Sequence, residues 1–275
     1  MSASKFRGQL AAAAAMAVAL VALFAPLAKA DTPAPGYTQF AGCPSPTENP
    51  KSETCVRTIV DGGYFQMGNK NVPITNPIVL SGGTGIFFEG FYYNSKGGMS
   101  KSPQKVPGGV VGLTGLTWLL ELLGSEALTL YAVTELAGTP DLNIFAEPLE
   151  LPIKVHLVNS VLGNNCYVGS SSNPIKLNLQ VGPTSPPPPN TSISGKAPTL
   201  AEDPSGIVTF NNGTFVDNSF AAPGASGCVL TLFGFIPISI NGLVNTQSGL
   251  PAAAGTNATS QSFDIEAALS KTVYP

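Results

Sequence analysis

Charge is scarce in this chain. Asp, Glu, Lys and Arg supply 11% of its 275 residues, under half of the ~25% usual in a soluble domain. That shortage excludes a coiled coil, a charge-rich disordered tail and a nucleic-acid binder that relies on basic patches. Histidine occurs once, at His156, and tryptophan once, at Trp118. With a single imidazole and no G-x-S-x-G elbow, acyl transfer through a Ser/His/Asp triad lacks its parts. With no C-x-x-C spacing and no Asp-x-Asp-x-Asp-Gly loop, so do zinc and EF-hand calcium sites. The sequence therefore predicts no catalytic residue, no metal ligand and no cofactor. The remaining enzymatic alternative is a secreted hydrolase working through two carboxylates, for which Glu121, Glu126, Glu135, Glu147 and Glu150 are the available acids. Glu202-Asp203 and Asp217-Asn218 are the acidic steps that chance folding could bring to a calcium ion.

Turn-forming residues are abundant instead. The 30 Gly and 25 Pro make one residue in five, while apolar content is an ordinary 43%, so many short elements joined by turns are expected around a normal core. Strict alternation supports strands. Leu151, Ile153, Val155 and Leu157 share one face against Pro152, Lys154 and His156, and Ile175, Leu177, Leu179 and Val181 repeat the pattern. His156 is accordingly expected on a solvated face. Two further places read as hairpins: residues 56–60 and 64–67 around Asp61-Gly62-Gly63, and residues 207–210 and 214–216 around Asn211-Asn212-Gly213. Residues 78–80 read as a strand stopping at Ser81-Gly82-Gly83, and residues 229–240 as one or two buried strands. Leu116, Leu119, Leu120 and Leu123 have i, i+3, i+4, i+7 spacing and predict one side of a short helix over residues 115–124. The fold class is thus all-β, mainly an antiparallel sandwich or barrel-like arrangement, with at most one or two short helices.

Residues 1–30 read as a secretory leader. Lys5 and Arg7 precede an uncharged apolar stretch, residues 10–27, and Ala28-Lys29-Ala30 is a small-x-small site, which places cleavage between Ala30 and Asp31. No cysteine follows to accept a lipid, so a secreted or wall-associated product is expected. Loss of Lys5, Arg7 and Lys29 leaves ten basic against 16 acidic residues, a formal net of −6, which disfavours nucleic acid and anionic lipid as partners. Residues 31–275 are then one β-rich domain, with a possible subdivision near the Pro-rich tract 182–195, where four consecutive prolines, 186–189, favour an extended conformation. In an exported chain the four cysteines, Cys43, Cys55, Cys166 and Cys228, predict two disulfides. Three pairings exist. Cys43 with Cys55 and Cys166 with Cys228 is favoured, because the first pair encloses a Pro-rich loop, residues 44–51, that does not easily order itself otherwise.

Phe87-Phe88-Glu89-Gly90-Phe91-Tyr92-Tyr93 is the most suggestive binding feature, since exposed aromatic faces stack on sugars or take up apolar ligands. Phe87, Phe88, Phe91, Tyr92 and Tyr93, with Trp118, are the candidate ligand or partner surface. Packing as a core strand is the competing reading of the same run.

The stretches Leu162-Gly163-Asn164-Asn165-Cys166-Tyr167-Val168-Gly169-Ser170, Asn173-Pro174-Ile175, Asp217-Asn218-Ser219-Phe220 and Pro223-Gly224-Ala225-Ser226-Gly227-Cys228, with Cys43-Pro44, Gly62-Gly63, Val72-Pro73-Ile74 and Leu80-Ser81-Gly82-Gly83 before them, resemble an uncharacterised family of exported actinobacterial proteins. That resemblance implies bacterial export and paired cysteines and brings no activity. The functional expectation is a secreted or cell-envelope, non-enzymatic structural or binding protein, with the cell wall as one partner. The alternative is a carrier of an apolar ligand or a membrane-active protein.

Overall fold

The computed structural model describes residues 32–142, 148–232 and 236–275; the expected leader and its cleavage site, and Glu147 with them, lie outside the described residues. The alternating segments form two antiparallel sheets packed as a sandwich. The first sheet has strands β1 (Thr54–Met67), β2 (Lys70–Pro73), β3 (Ile78–Thr84), β4 (Gly98–Met99), β10 (Thr199–Glu202), β11 (Val208–Asp217) and β15 (Ala258–Leu269). Its order is β10-β11-β15-β1-β3-β4, with β2 sharing the β3 edge of β1. The second sheet contains β5 (Pro103–Lys105), β6 (Tyr131–Leu136), β7 (Leu149–Val158), β8 (Tyr167–Val168), β9 (Ile175–Leu179) and β12 (Ala225–Ser226). There β7 is the hub, pairing β6 on one edge and both β8 and β9 on the other. A separate hairpin is made by β13 (Val229–Leu232) and β14 (Ile236–Ser239). Four short helices complete the described chain: α1 (Gly109–Thr114), α2 (Trp118–Ala127), α3 (Asn241–Ser248) and α4 (Ser270–Val273).

The predicted alternation of β7 and β9 is what fills the interior. Leu151, Ile153, Val155, Leu157, Ile175, Leu177 and Leu179 are all buried and join Val56, Val60, Ile78 and Leu80 of the opposite sheet in one apolar cluster. Each such side chain contributes roughly 1.5–3 kcal/mol on burial. The sheets also meet at one edge, where Gln180 and Val216 exchange backbone hydrogen bonds of 3.1 and 2.9 Å.

Both favoured disulfides are present, Cys43–Cys55 and Cys166–Cys228, with Cα separations of 5.4 and 4.1 Å. Around the first lies a smaller cluster of Phe40, Ile207, Ala268, Val273 and Tyr274, and the Tyr274 hydroxyl donates to the Cys43 carbonyl at 2.7 Å. The Pro-rich tract is a pinned loop whose two sides bond to each other, Thr184 N–H to Ile193 O and Gly195 N–H to Gly182 O.

Several expectations are corrected. Asp61-Gly62-Gly63 is not a hairpin turn: β1 runs straight through it, and the register against β15 slips between Val60 and Gly62. The turn is instead Gly68-Asn69, between Met67 and its partner Lys70. Asn211-Asn212-Gly213 is likewise a slip within β11, between Phe210 and Gly213, with Asn212 at φ +57°. A positive φ serves a β-bulge as well as a tight turn, and what decides is whether a partner strand continues alongside. Here β15 does, for both. Gly213 is also required by packing, because a Cβ there would run into the Phe263 ring, which stacks on Phe215 with centroids 3.7 Å apart. The strand at residues 78–80 likewise continues through Gly82 and Gly83. In β14, Ile236 and Ile238 are exposed rather than buried. The leucine-rich helix exists but is shifted and interrupted at Gly124 (φ 76°, ψ 166°). Leu119 is buried and Leu116 packs on the core, whereas Leu120 and Leu123 face solvent although both precede the break, so the predicted stripe covers the core with only part of its length.

Candidate functional site

Inward positions of a strand that are not filled by large side chains leave space between sheets. Along β1 the inward residues read Val56, Thr58, Val60, and Thr134 in β6 and Gln261 in β15 are also polar and turned inward, at 7% and 3% exposure. These three line a cavity of about 70 Å³ whose other walls are apolar, among them Ile78, Leu80, Leu151, Ile153 and Leu179. A second apolar cavity of about 130 Å³ is bounded by Val181, Pro198, Phe210 and Phe263. The two share Phe88, Leu149, Phe215 and Ile265 as walls. Among the described residues no charged side chain lines either of them.

The aromatic run lies in a loop, not in a core strand, and divides. Phe88 holds φ +64° and its ring reaches inward to both cavities. Phe91 is buried, packed against the place where Gly82 has no side chain. Phe87 is 61% exposed. Tyr92 and Tyr93, with Pro44, Glu48, Asn49, Phe91 and Asn94, line a surface groove of about 460 Å³. Trp118 lines neither cavity nor groove and sits 44% exposed on α2 beside the exposed Leu120, Leu122 and Leu123.

Among the described residues the ionisable groups do not converge on a cleft. His156 stacks on Tyr167 with centroids 4.3 Å apart, and its Nε2 lies 3.0 Å from the Asn164 carbonyl. Its Nδ1 is 3.9 Å from Glu135, which also pairs with Lys154 at 3.4 Å. This is a half-buried cross-strand ladder on the outer face of the second sheet, and among the described residues the imidazole's partners are Tyr167, Asn164 and Glu135, none of them a serine or cysteine. Glu150 pairs with Lys176 at 3.4 Å in solvent, and Glu121 and Glu126 are exposed on α2. Asp217 is fully buried, but its oxygens accept from Asn178 N–H, Ser219 N–H and the Ser219 hydroxyl, so it orders backbone. Asp203 caps an exposed turn, accepting from the Ser205 hydroxyl and from the N–H groups of Ser205 and Ile207. Those bonds, the Ser205 hydroxyl first, hold its carboxyl below the usual aspartate range. Among the described residues no group of three His, Cys, Asp or Glu side chains could hold a metal ion.

The sequence reading missed Glu48, Asn49 and Asn94 of the groove, and Thr58, Thr134 and Gln261 of the cavity. The cavity residues had a legible signal, namely polar side chains at inward positions of alternating strands. The groove had none, because only the fold brings the loop after Cys43 to the aromatic run. No protein-family model matches the chain, and no match to a curated protein or to a solved structure is found.

Proposed function

We propose that the protein is an exported, non-enzymatic binding protein of the cell exterior or envelope, and that its ligand is an apolar group held between the two sheets. The carrying observation is the pair of adjoining cavities that share Phe88, Leu149, Phe215 and Ile265 and, among the described residues, have no charge on their walls. Apolar cavities on the order of 150 Å³ stay dry and accept solutes of benzene size. The volumes here suit a small ring or the end of an alkyl chain rather than a whole drug-sized molecule, whose pockets run to ~300–1,000 Å³. Two buried disulfides support an oxidising destination. No helix of the described residues is long and apolar enough to cross a membrane. The described candidate acids Glu121, Glu126, Glu135 and Glu150 are dispersed or paired with lysine, which favours a binding role over the hydrolase alternative.

Methyl NMR during titration with benzene and with straight-chain C6 to C8 alcohols tests the proposal. Saturable shifts at Leu149, Leu151 and Ile265 are expected, together with stabilisation of about 1.4 kcal/mol at tenfold excess over Kd. Leu149→Trp, which places bulk in the shared wall, is expected to abolish both. Absence of saturable shifts in the wild type up to the solubility limit of these probes would refute it.

A further inference from the structure

We propose that the surface groove beside the Cys43–Cys55 bridge is a second site, independent of the inter-sheet cavities, and that it takes a neutral saccharide. The argument begins with its shape and rigidity. Cys43–Cys55 closes the loop that forms one wall. Asn94 fastens that loop to the aromatic segment, since its Nδ2 donates to the carbonyls of Ala41 and Cys43 at 3.0 and 3.2 Å, while its Oδ1 accepts from Lys96 N–H. The Tyr92 backbone exchanges hydrogen bonds of 2.7 and 2.8 Å with Gly83 on β3. The groove is therefore set before any ligand arrives, which lowers the ordering cost of binding.

Its chemistry then narrows the occupant. Among the described residues no Lys or Arg lines the groove, so an anionic group such as phosphate has no countercharge there. One carboxylate, Glu48, is too few for a hard cation. An apolar ligand gains little in a groove so open to water, and better apolar space lies inside the sandwich. What remains is a compact molecule with C–H faces and many hydroxyls. Tyr93 offers the platform: one side of its ring lies over Gly98, where a Cβ would come within 3.0 Å of it, while the residue stays 52% exposed. Phe91, with its ring centroid 5.7 Å away, buttresses it. Around that platform stand groups suited to hydroxyls. Glu48 uses Oε2 to accept from Ser45 N–H at 2.9 Å and has a second acceptor oxygen. Asn49 uses Oδ1 to accept from Lys51 N–H at 3.0 Å and has two amide protons to donate. Tyr92 and Tyr93 add phenolic hydroxyls. An aromatic face, a carboxylate and an amide in a groove of fixed shape make a complement to a pyranose ring, with the carboxylate bond the strongest polar contact.

The test is a ¹⁵N–¹H titration of the full protein with cellotriose and with triacetylchitotriose. Saturable shifts confined to residues 44–49 and 91–98 are expected for at least one of them, with a Kd on the order of 1 mM or tighter. Tyr93→Ala is expected to weaken that binding by about 3- to 10-fold through loss of the platform. Glu48→Gln is expected to weaken it by a similar factor through loss of the charged acceptor. Both residues are at the surface, and a well-dispersed spectrum of each variant shows that it is folded. Leu149→Trp, which blocks the inter-sheet cavities, is expected to leave saccharide binding unchanged, so failure of the two sites is read separately. No shift in the groove with either probe up to 20-fold above that Kd overturns the proposal. Unaltered binding in both Tyr93→Ala and Glu48→Gln overturns it equally.

Discussion

Removing the two disulfides one at a time, as Cys166→Ala/Cys228→Ala and Cys43→Ala/Cys55→Ala, separates loop closure from packing. All four cysteines are fully buried, so the loss of contacts on truncation to alanine is similar for the two pairs. The loops they close are not similar: 62 residues for Cys166–Cys228 against 12 for Cys43–Cys55. The loop-closure relation gives about 4.3 kcal/mol at 25 °C for the long loop and about 2.8 kcal/mol for the short one. The Cys166/Cys228 variant should then be the less stable by about 1.5 kcal/mol. Equilibrium urea unfolding followed by circular dichroism measures both, and the m-value should rise more in the long-loop variant because its unfolded chain expands further. Equal losses, or a larger loss at Cys43/Cys55 with m unchanged, would refute the reasoning. Such a result would move the stabilisation to the native packing of Phe40 and Tyr274 around the short bridge.

Other consequences follow from single side chains. Asn257 is fully buried; it accepts from Gly68 N–H and donates to the carbonyls of Phe220 and Ala253 at 2.9 to 3.0 Å. Asn257→Ala leaves those groups unpaired and should cost about 3–4 kcal/mol in urea unfolding. On α2, Leu119→Ala should cost about 2–4 kcal/mol, while Leu122→Lys, at a position 68% exposed, should change stability by less than about 0.5 kcal/mol. Asp203 has a folded pKa lowered by the Ser205 hydroxyl and backbone N–H bonds. Its stabilisation is therefore present above the ordinary aspartate pKa and is lost as pH falls through the lower folded value. Urea midpoints of wild type and Asp203→Asn should differ at pH 6, and the difference should shrink as the pH is taken below the ordinary aspartate range.

What the sequence discloses of this fold follows from which signals are local. Alternation in β7 and β9 is decided within ten residues and reads directly as two buried faces. Cysteine pairing reads from the same scale for Cys43 and Cys55. The glycine signals at Gly62-Gly63 and Asn212-Gly213 are local too, yet they are ambiguous: positive φ accommodates a turn or a bulge. Only the course of β15, some 200 residues beyond Gly62, selects the bulge. The aromatic run shows the same division. Its composition marks a surface with binding chemistry, but whether Phe88 turns inward and Tyr93 outward depends on the cavity behind one and on Gly98 beneath the other. The cavity is walled from distant parts of the chain, whereas Gly98 is a near neighbour in sequence that only the path of the loop brings beneath the ring.

The scarcity of charge acquires a structural meaning once the loops are followed. A turn-dense sandwich has many backbone groups that no sheet ladder satisfies, and each left unpaired in the interior costs about 1–3 kcal/mol. Neutral amides meet that need here. Gln104, nearly buried, accepts from Thr75 and Asn76 N–H and donates to Asn76 O. Asn159 ties the end of α2 to the turn that follows β7, donating to the carbonyls of Ala127 and Thr129 while accepting from Val161 N–H. Asn245 bonds both backbone groups of Ala225, and Asn190 and Asn218 fasten the Pro-rich loop. An amide carries a donor and an acceptor at once and is far less costly to bury than an ion. Asn and Gln can therefore clamp loops from inside where Lys and Glu could not. The composition that holds so few charged side chains is thus the same composition that lets long irregular connections lie tightly on the two sheets. Among the described residues it leaves the cavities between the sheets with uncharged walls and Glu48 as the one charge of a groove built from amides and tyrosines.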